Sequence, residues 1–369
     1  MVKDERDKKI SKDQLIVSEV VQETTSQRRA QKEMHSHELT YPLQTYGNFG
    51  VIKQGNLTNA LTKTRSTKSN TEIDGSGTAI VTNGDLTLTI PDFEKTAGLK
   101  TSTHQLLDII TMYFTTQGGK YNKISINLDD FMERRKLKDK KEARKQIKRD
   151  LDLLSTLKAT YSSKDKRDYY DERLFYGGGI VKGNILVTIG DTFAKYLIKC
   201  GIMPYPPQLS TINGNDNPNS YFMLRKIQEL KNMNVNKKNE DIISVRTLLS
   251  ICPKIPKYED IKGAGSQIRQ RIIDPFERDL DALEETITWE YCHSNGAPLT
   301  NEELEILDYD IFIDLLIKVT WKDYPDQTPR LERKAQKIEE AKRKQTIKYE
   351  EAKRREEARE KKNNKKKAE

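Results

Sequence analysis

Residues 266–285 read SQIRQRIIDPFERDLDALEE, and at 100° per residue they divide into two unlike faces. Ile268, Ile272, Ile273, Phe276, Leu280 and Leu283 fall on one side, and Gln267, Gln270, Arg271, Asp274 and Arg278 on the other. The apolar side suits a core. The other side carries Gln and Arg, whose planar, paired hydrogen-bonding groups fit adenine and guanine edges in a DNA major groove. A merely solvated face more often carries Lys and Glu. Gln267, Gln270 and Arg271 are therefore candidate base-reading residues together with Ser266 beside them, which is also a candidate N-cap. Arg269 projects toward the apolar side, but in an early turn from which it can reach a phosphate, and Arg278 is a second candidate phosphate contact. Pro275 removes a helical hydrogen bond, yet Asp274-Pro275-Phe276-Glu277 has the form of a capping box. Either a kink or a fresh helix start is expected there, with one apolar phase running through both segments.

The flanking sequence sets this helix in context. SYFMLRKIQELKNMN and ISVRTLLSIC read as two preceding helices, and TITWEYC and DIFIDLLIKVTW as two following strands around the loop HSNGAPLTNEELEILDY. That is a helix-turn-helix with a β wing, whose last helix enters the groove. The same order occurs upstream. TSTHQLLDIITMYFTTQGG is a helix with a Gly-Gly stop, KISINL a short strand, and DDFMERRKL and KKEARKQIKRDLDLLSTLKATY are helices. DYYDERLFYGGGIVKGNILVTIG then reads as two strands, with Gly177-Gly178-Gly179 as the expected wing tip. TAIVTNGDLTLTI is a hairpin around Asn83-Gly84.

The expected fold class is α+β: two tandem winged-helix domains with a flexible polar N-terminal arm and a charged, helical or disordered C-terminal tail. The expected boundaries are 1–75 for a largely disordered arm, 76–203 for the first domain, 204–219 for a Pro- and Asn-rich linker, 220–325 for the second domain and 326–369 for the tail. No close residue-by-residue repeat is expected between the halves.

The chain of 369 residues carries a net charge of +9. Its distribution matters more than its size. Residues 330–369 hold 17 Lys and Arg against 9 Asp and Glu, so the tail accounts for almost all of it. A DNA-binding body must then rest on local basic faces. One occurs at residues 132–149, with ten Lys or Arg and three acids. Ala143, Ile147, Leu151, Leu154 and Leu157 lie on one side of that helix, and Lys141, Lys145, Lys148 and Arg149 face away. Ammonium groups are point charges suited to phosphate, so this face is expected to grip the DNA backbone while the second domain reads bases.

With its neighbour SVRTLLSICPKIPKYEDI, the segment IRQRIIDPFERDLDAL resembles the second winged helix of plasmid replication initiators. The resemblance implies two tandem winged helices binding repeated origin sites in double-stranded DNA. It also implies a basic stretch in the DNA-reading helix before an Ile/Leu-x-Pro step, here Arg269, Gln270 and Arg271 before Ile272-Ile273-Asp274-Pro275. A homodimer and a host replicative helicase or helicase loader are the protein partners to expect. Phe276, where many members have Ala, and the acidic run 281–285 depart from the pattern.

Other chemistry is not indicated. His35-Ser36-His37 lacks the apolar middle residue of a buried metal-binding strand, and no Gly-rich stretch has P-loop spacing. Cys200, Cys252 and Cys292 suit neither a disulfide framework nor a zinc site and are expected as reduced, mostly buried thiols. The expectation is a non-enzymatic, cytoplasmic protein without cofactor, metal or membrane segment. Its rivals are a winged-helix transcription regulator without a replication role and a replisome adaptor working through its tail and acidic surface.

Overall fold

The computed structural model describes most of residues 99–326, strands and short pieces between 43 and 90, and a few tail positions between 336 and 344. Positions 120, 163–168, 238, 262–266 and 306–307 lie outside it, as does the His35-Ser36-His37 stretch. Met1–Asp323 is one compact unit and Tyr324–Glu369 a second. In the second, Lys344 pairs with Glu340 at 2.7 Å, an exposed i, i+4 contact of the kind its composition favours.

The first unit begins with β1 (Thr45–Tyr46) and β2 (Phe49–Gln54), followed by β3 (Thr71–Ile73), β4 (Ala79–Asn83) and β5 (Leu86–Ile90). Next come α1 (Thr101–Thr116), β6 (Lys123–Asn127), α2 (Leu128–Arg134), α3 (Lys140–Thr156), β7 (Lys158–Ser162), β8 (Tyr169–Arg173), β9 (Phe175–Val181) and β10 (Asn184–Ile189). Gly118 and Gly119, at φ of 66° and 69°, end α1 as the sequence predicts, the Gly119 N–H bonding Phe114 O at 3.1 Å. Asn127 closes β6 and caps α2, its Oδ1 accepting from the backbone of Asp129 and Asp130. The sheet order is β6-β10-β9. Helix, strand, helix, helix and a two-stranded wing on that sheet make a winged helix.

After α4 (Asp191–Lys199), β11 (Gly201–Tyr205) and α5 (Gln208–Thr211), the pattern repeats. It runs α6 (Ser220–Asn234), β12 (Ile242–Ser244), α7 (Val245–Leu249), α8 (Tyr258–Ile261), a π-helical turn (Arg269–Ile273) that leads into α9 (Asp274–Asp281), β13 (Ile287–Cys292), α10 (Asn301–Glu305), α11 (Tyr309–Asp314) and β14 (Leu316–Trp321). The sheet order β12-β14-β13 matches that of the first module. Ser244 repeats the device of Asn127: it ends the strand and caps the next helix through Thr247 N.

Several expectations change. Phe49, Val51 and Ile52, assigned to the arm, are buried, because β2 is the central strand between β1 and β11. Residues 204–219 contain the end of β11 and all of α5, with Leu209 fully buried. Pro204 is tolerated since β11 is an edge strand, where a missing N–H leaves no ladder bond unmade. Lys158–Tyr161, read as helix, belong to strand β7, which joins β8 and β3–β5 in a five-stranded antiparallel sheet, order β3-β4-β5-β7-β8. Asn83 lies opposite Leu86, so it belongs to the hairpin's strand and not to its turn. Gly177, Gly178 and Gly179 lie within β9. The wing tip is Lys182-Gly183, both at positive φ (48° and 80°), the mark of a two-residue type I′ turn. Asp310–Asp314, read as strand, are helical within α11 because Asp308 Oδ1 caps Ile311 N at 2.9 Å.

The two modules share one hydrophobic core. At their junction Asp108 of α1 meets Arg225 of α6 at 3.4 Å, and Tyr221 O–H donates to Asp108 Oδ2 at 2.6 Å. The Arg225 guanidinium also lies 5.9 Å from the Tyr205 ring centroid. Burial pushes the Asp108 carboxyl up, against the pull of Arg225 and of the Tyr221 hydrogen bond. Cys252 and Cys292 are buried and Cys200 half-buried, all three as free thiols.

Candidate nucleic-acid interface

The local reading of residues 267–285 survives folding. Ile272, Ile273, Phe276, Leu280 and Leu283 are buried, while Gln267, Arg269, Gln270 and Arg271 are exposed. No fresh helix start appears at Pro275, the backbone of Ile273 and Asp274 before it being helical. Helix runs through it, because the five residues before it widen into a π turn, the Asp274 N–H bonding Arg269 O. Proline has no N–H and its ring crowds the carbonyl four residues back, and a turn with one extra residue removes that clash. The widened turn also presents Arg269, Gln270 and Arg271 as a consecutive exposed run. Ser266 lies outside the described residues.

The exposed polar groups are not equivalent. Arg269 pairs with Asp274 at 3.3 Å and with Glu277 at 3.9 Å, and Arg278 bonds Asp279 Oδ1 through Nε at 3.2 Å and Nη2 at 3.1 Å. Both are more than half exposed, so these pairs are easily exchanged for a phosphate. Gln267, Gln270 and Arg271 form no ion pair or side-chain hydrogen bond with described residues, and Arg271 borders a small hollow with Lys254 and Lys257. Glu277 is pushed up by burial, the Tyr291 hydroxyl donating to it at 3.0 Å and opposing that rise.

In the first module Asp139 caps α3 through the N–H groups of Lys141 and Glu142. Lys141, Lys145, Lys148 and Arg149 are all exposed, opposite the buried Ala143, Ile147, Leu151 and Leu154. Lys145 pairs with Glu142 at 2.7 Å, leaving Lys141, Lys148 and Arg149 without an ion pair among the described residues. Arg144 and the wing-tip Lys182, neither singled out from the sequence, are exposed as well. The Lys182-Gly183 pair between two strand-like runs was the sequence signal available for Lys182.

Superposed by element order, α3 and α9 disclose a repeat that is inconspicuous in the linear sequence. Arg149-Asp150-Leu151-Asp152-Leu153-Leu154 matches Arg278-Asp279-Leu280-Asp281-Ala282-Leu283. In both, the first Asp is buried and ties its helix to the start of its module's first helix. Asp150 accepts from Ser102 Oγ (3.1 Å) and Thr103 Oγ1 (2.7 Å). Asp279 accepts from Asn219 N (2.9 Å) and Nδ2 (2.7 Å), and Ser220 Oγ donates to Asp279 O at 2.6 Å. Through α5, the first helix α1 and the end of α9 are also joined. Gln105 Nε2 of α1 donates to the carbonyls of Leu209 and Ile212, and Gln208 Nε2 donates to Ala282 O at 2.8 Å. The expected linker is thus a hydrogen-bonded spacer between α1 and the end of α9.

No family model matches the chain, and neither does any curated protein. Among solved structures, one that matches is the crystal structure of Pi initiator protein in complex with iteron DNA. The chain is similar to an initiator protein. The identity is 11% over 76% of this chain and 99% of that one, with a TM-score of 0.43. Domains 2 and 3 of RctB match at 10% identity over 71% of this chain and 98% of theirs, with a TM-score of 0.39. The winged-helix topology itself rests on the strand orders and helix sequence given above.

Proposed function

We propose that the protein is a sequence-specific double-stranded DNA-binding protein that initiates replication of a plasmid or related mobile element by binding repeated origin sites. The observation that carries the DNA-reading part is the run of uncompensated Gln270 and Arg271, with Gln267 one turn earlier, exposed on the third helix of a winged helix while the same helix buries Ile272 and Ile273. The replication part is supported by the resemblance of residues 245–290 to plasmid initiators. Residues 76–203 and 220–325 act as phosphate-gripping and base-reading modules. Ser266 supports the second, and Arg269 and Arg278 turn from their carboxylates to phosphates. A second copy and a host helicase or helicase loader are the partners this role calls for.

Replacing Arg271 by Ala is expected to weaken binding to the cognate site by about 1–3 kcal/mol and to leave random duplex unaffected. Equal losses on both, measured by fluorescence anisotropy, would reject base reading. The double variant Lys141→Ala/Lys148→Ala is expected to weaken both duplexes and to flatten the log affinity against log salt plot by about two units. An unchanged slope would remove α3 from the DNA backbone. A plasmid-maintenance assay with the origin supplied separates an initiator from a transcription regulator of the same fold.

A further inference from the structure

The cleft between the modules holds a cation that the proposed interface does not use. It encloses about 1340 Å³ between the start of α1, the inner face of α3, residues 211–218 and Lys254. Its cationic lining is Lys100, Arg135, Lys136, Arg149 and Lys254. Two carboxylates, Asp150 and Asp152, also line it. Arg135 differs from the other four in being only 8% exposed, with its Nε buried and without a hydrogen-bond partner. The Phe131 ring lies 5.7 Å from its guanidinium carbon, and Arg135 forms no ion pair among the described residues. Asp150, the carboxylate that acts on it most, is already held by the hydroxyls of Ser102 and Thr103. A guanidinium presents five donors, and burying it with donors unmet is unfavourable. A phosphate at the cleft wall supplies the missing acceptors in a geometry that guanidinium matches.

The cleft also has the right neighbours for a nucleic-acid backbone. Arg149 is on the outer side of α3. Lys254 is fixed at the other rim, its N–H bonded to Asn219 Oδ1 at 2.9 Å, and it shares the next hollow with Arg271. Cations therefore continue from one reading helix to the other across the cleft. We propose that this cleft clamps the phosphodiester backbone of duplex DNA between the segments contacted by α3 and by the Gln270-Arg271 turn, with Arg135 as its buried anchor. The inference rests on the DNA-binding reading above.

The test uses the full chain and Arg135→Met, which keeps an apolar stem and removes the charge. On cognate and random duplex alike the affinity should fall about tenfold, and the salt slope by about one, with the cognate preference kept. The thermal midpoint should hold or rise, because an uncompensated buried charge has gone. Unchanged duplex affinity, or an affinity loss that follows a fall in the midpoint, overturns the clamp. Failure of the underlying reading has a different signature: the unaltered chain binds neither duplex. Inorganic pyrophosphate is then titrated against both proteins by thermal shift. Stabilisation of the unaltered chain alone is the result expected of a phosphate site built on Arg135. Joined to an unchanged duplex affinity it assigns the cleft to a free anion, and stabilisation of neither removes it as a phosphate site; either of those two results overturns the DNA proposal.

Discussion

Arg225→Ala is expected to destabilise the chain by about 3–5 kcal/mol, read from the denaturant midpoint, because it strands a carboxylate in the interior. Asp108 and Arg225 are buried together at the meeting of α1 and α6, with Tyr221 as the remaining donor to the carboxylate. Without the guanidinium, burial acts on Asp108 unopposed by a cation and its pKa rises further. For an acid whose folded pKa lies above its unfolded one, the folded state binds the extra proton, so stability falls as pH rises through that interval. The deficit of the variant should therefore be larger at pH 8 than at pH 5. Asp108→Leu together with Arg225→Met should recover most of the loss, since an apolar pair of similar size avoids the desolvation cost. A pH-independent deficit would show that the residue acts through packing instead.

The second large effect concerns Asp279, which is fully buried. Its loss in Asp279→Ala leaves the backbone and side-chain N–H groups of Asn219 without their acceptor and frees the Arg278 guanidinium. About 3 kcal/mol is expected, from two orphaned buried donors and a cavity. Because Asn219 Oδ1 also holds Lys254 N, the loop before the π turn should loosen with it, visible as faster amide exchange at Lys254, Ile255 and Lys257. Asp150→Ala should cost less. Its donors are the hydroxyls of Ser102 and Thr103, which can rotate to other acceptors, whereas the Asn219 backbone N–H cannot. Equal losses at the two positions would mean that the donors' freedom does not matter.

These two aspartates show where reading the chain in one dimension stops. Arg-Asp-Leu-Asp occurs twice, at 149–152 and 278–281, but four letters of common residue types stand out only when both copies fall on the third helix of the same topology. On a helical wheel each of these aspartates falls within the apolar stripe, Asp150 between Leu157 and Ala143 and Asp279 between Ile268 and Ile272, but the wheel does not say which donors meet it. Its burial depends on the first helix of its module arriving with Ser102 and Thr103, or with Asn219 and Ser220, at the right height. Arg135 escaped notice for the same reason. In a stretch with ten Lys or Arg, nothing local separates the one cation that folds inward from those that stay in water.

The apolar stripe of residues 268–283, the opposite row of Gln and Arg, the Gly stop after α1 and the basic outer face of α3 were determined by the sequence alone. Each follows from side-chain periodicity or from capping within a few residues, and such short-range terms are complete before distant chain arrives. Tertiary structure alone decided that Phe49–Gln54 is a central strand, that α5 is a hydrogen-bonded spacer instead of a loose linker, and that Asp108 and Arg135 are buried. Every one of those outcomes needs a partner from elsewhere in the chain: β2 finds β11 about 150 residues away, and Asp108 finds Arg225 across the module boundary. A polar or short apolar segment has no local free-energy minimum that foretells such a meeting, since its stability comes from contacts formed only when both modules close on one core.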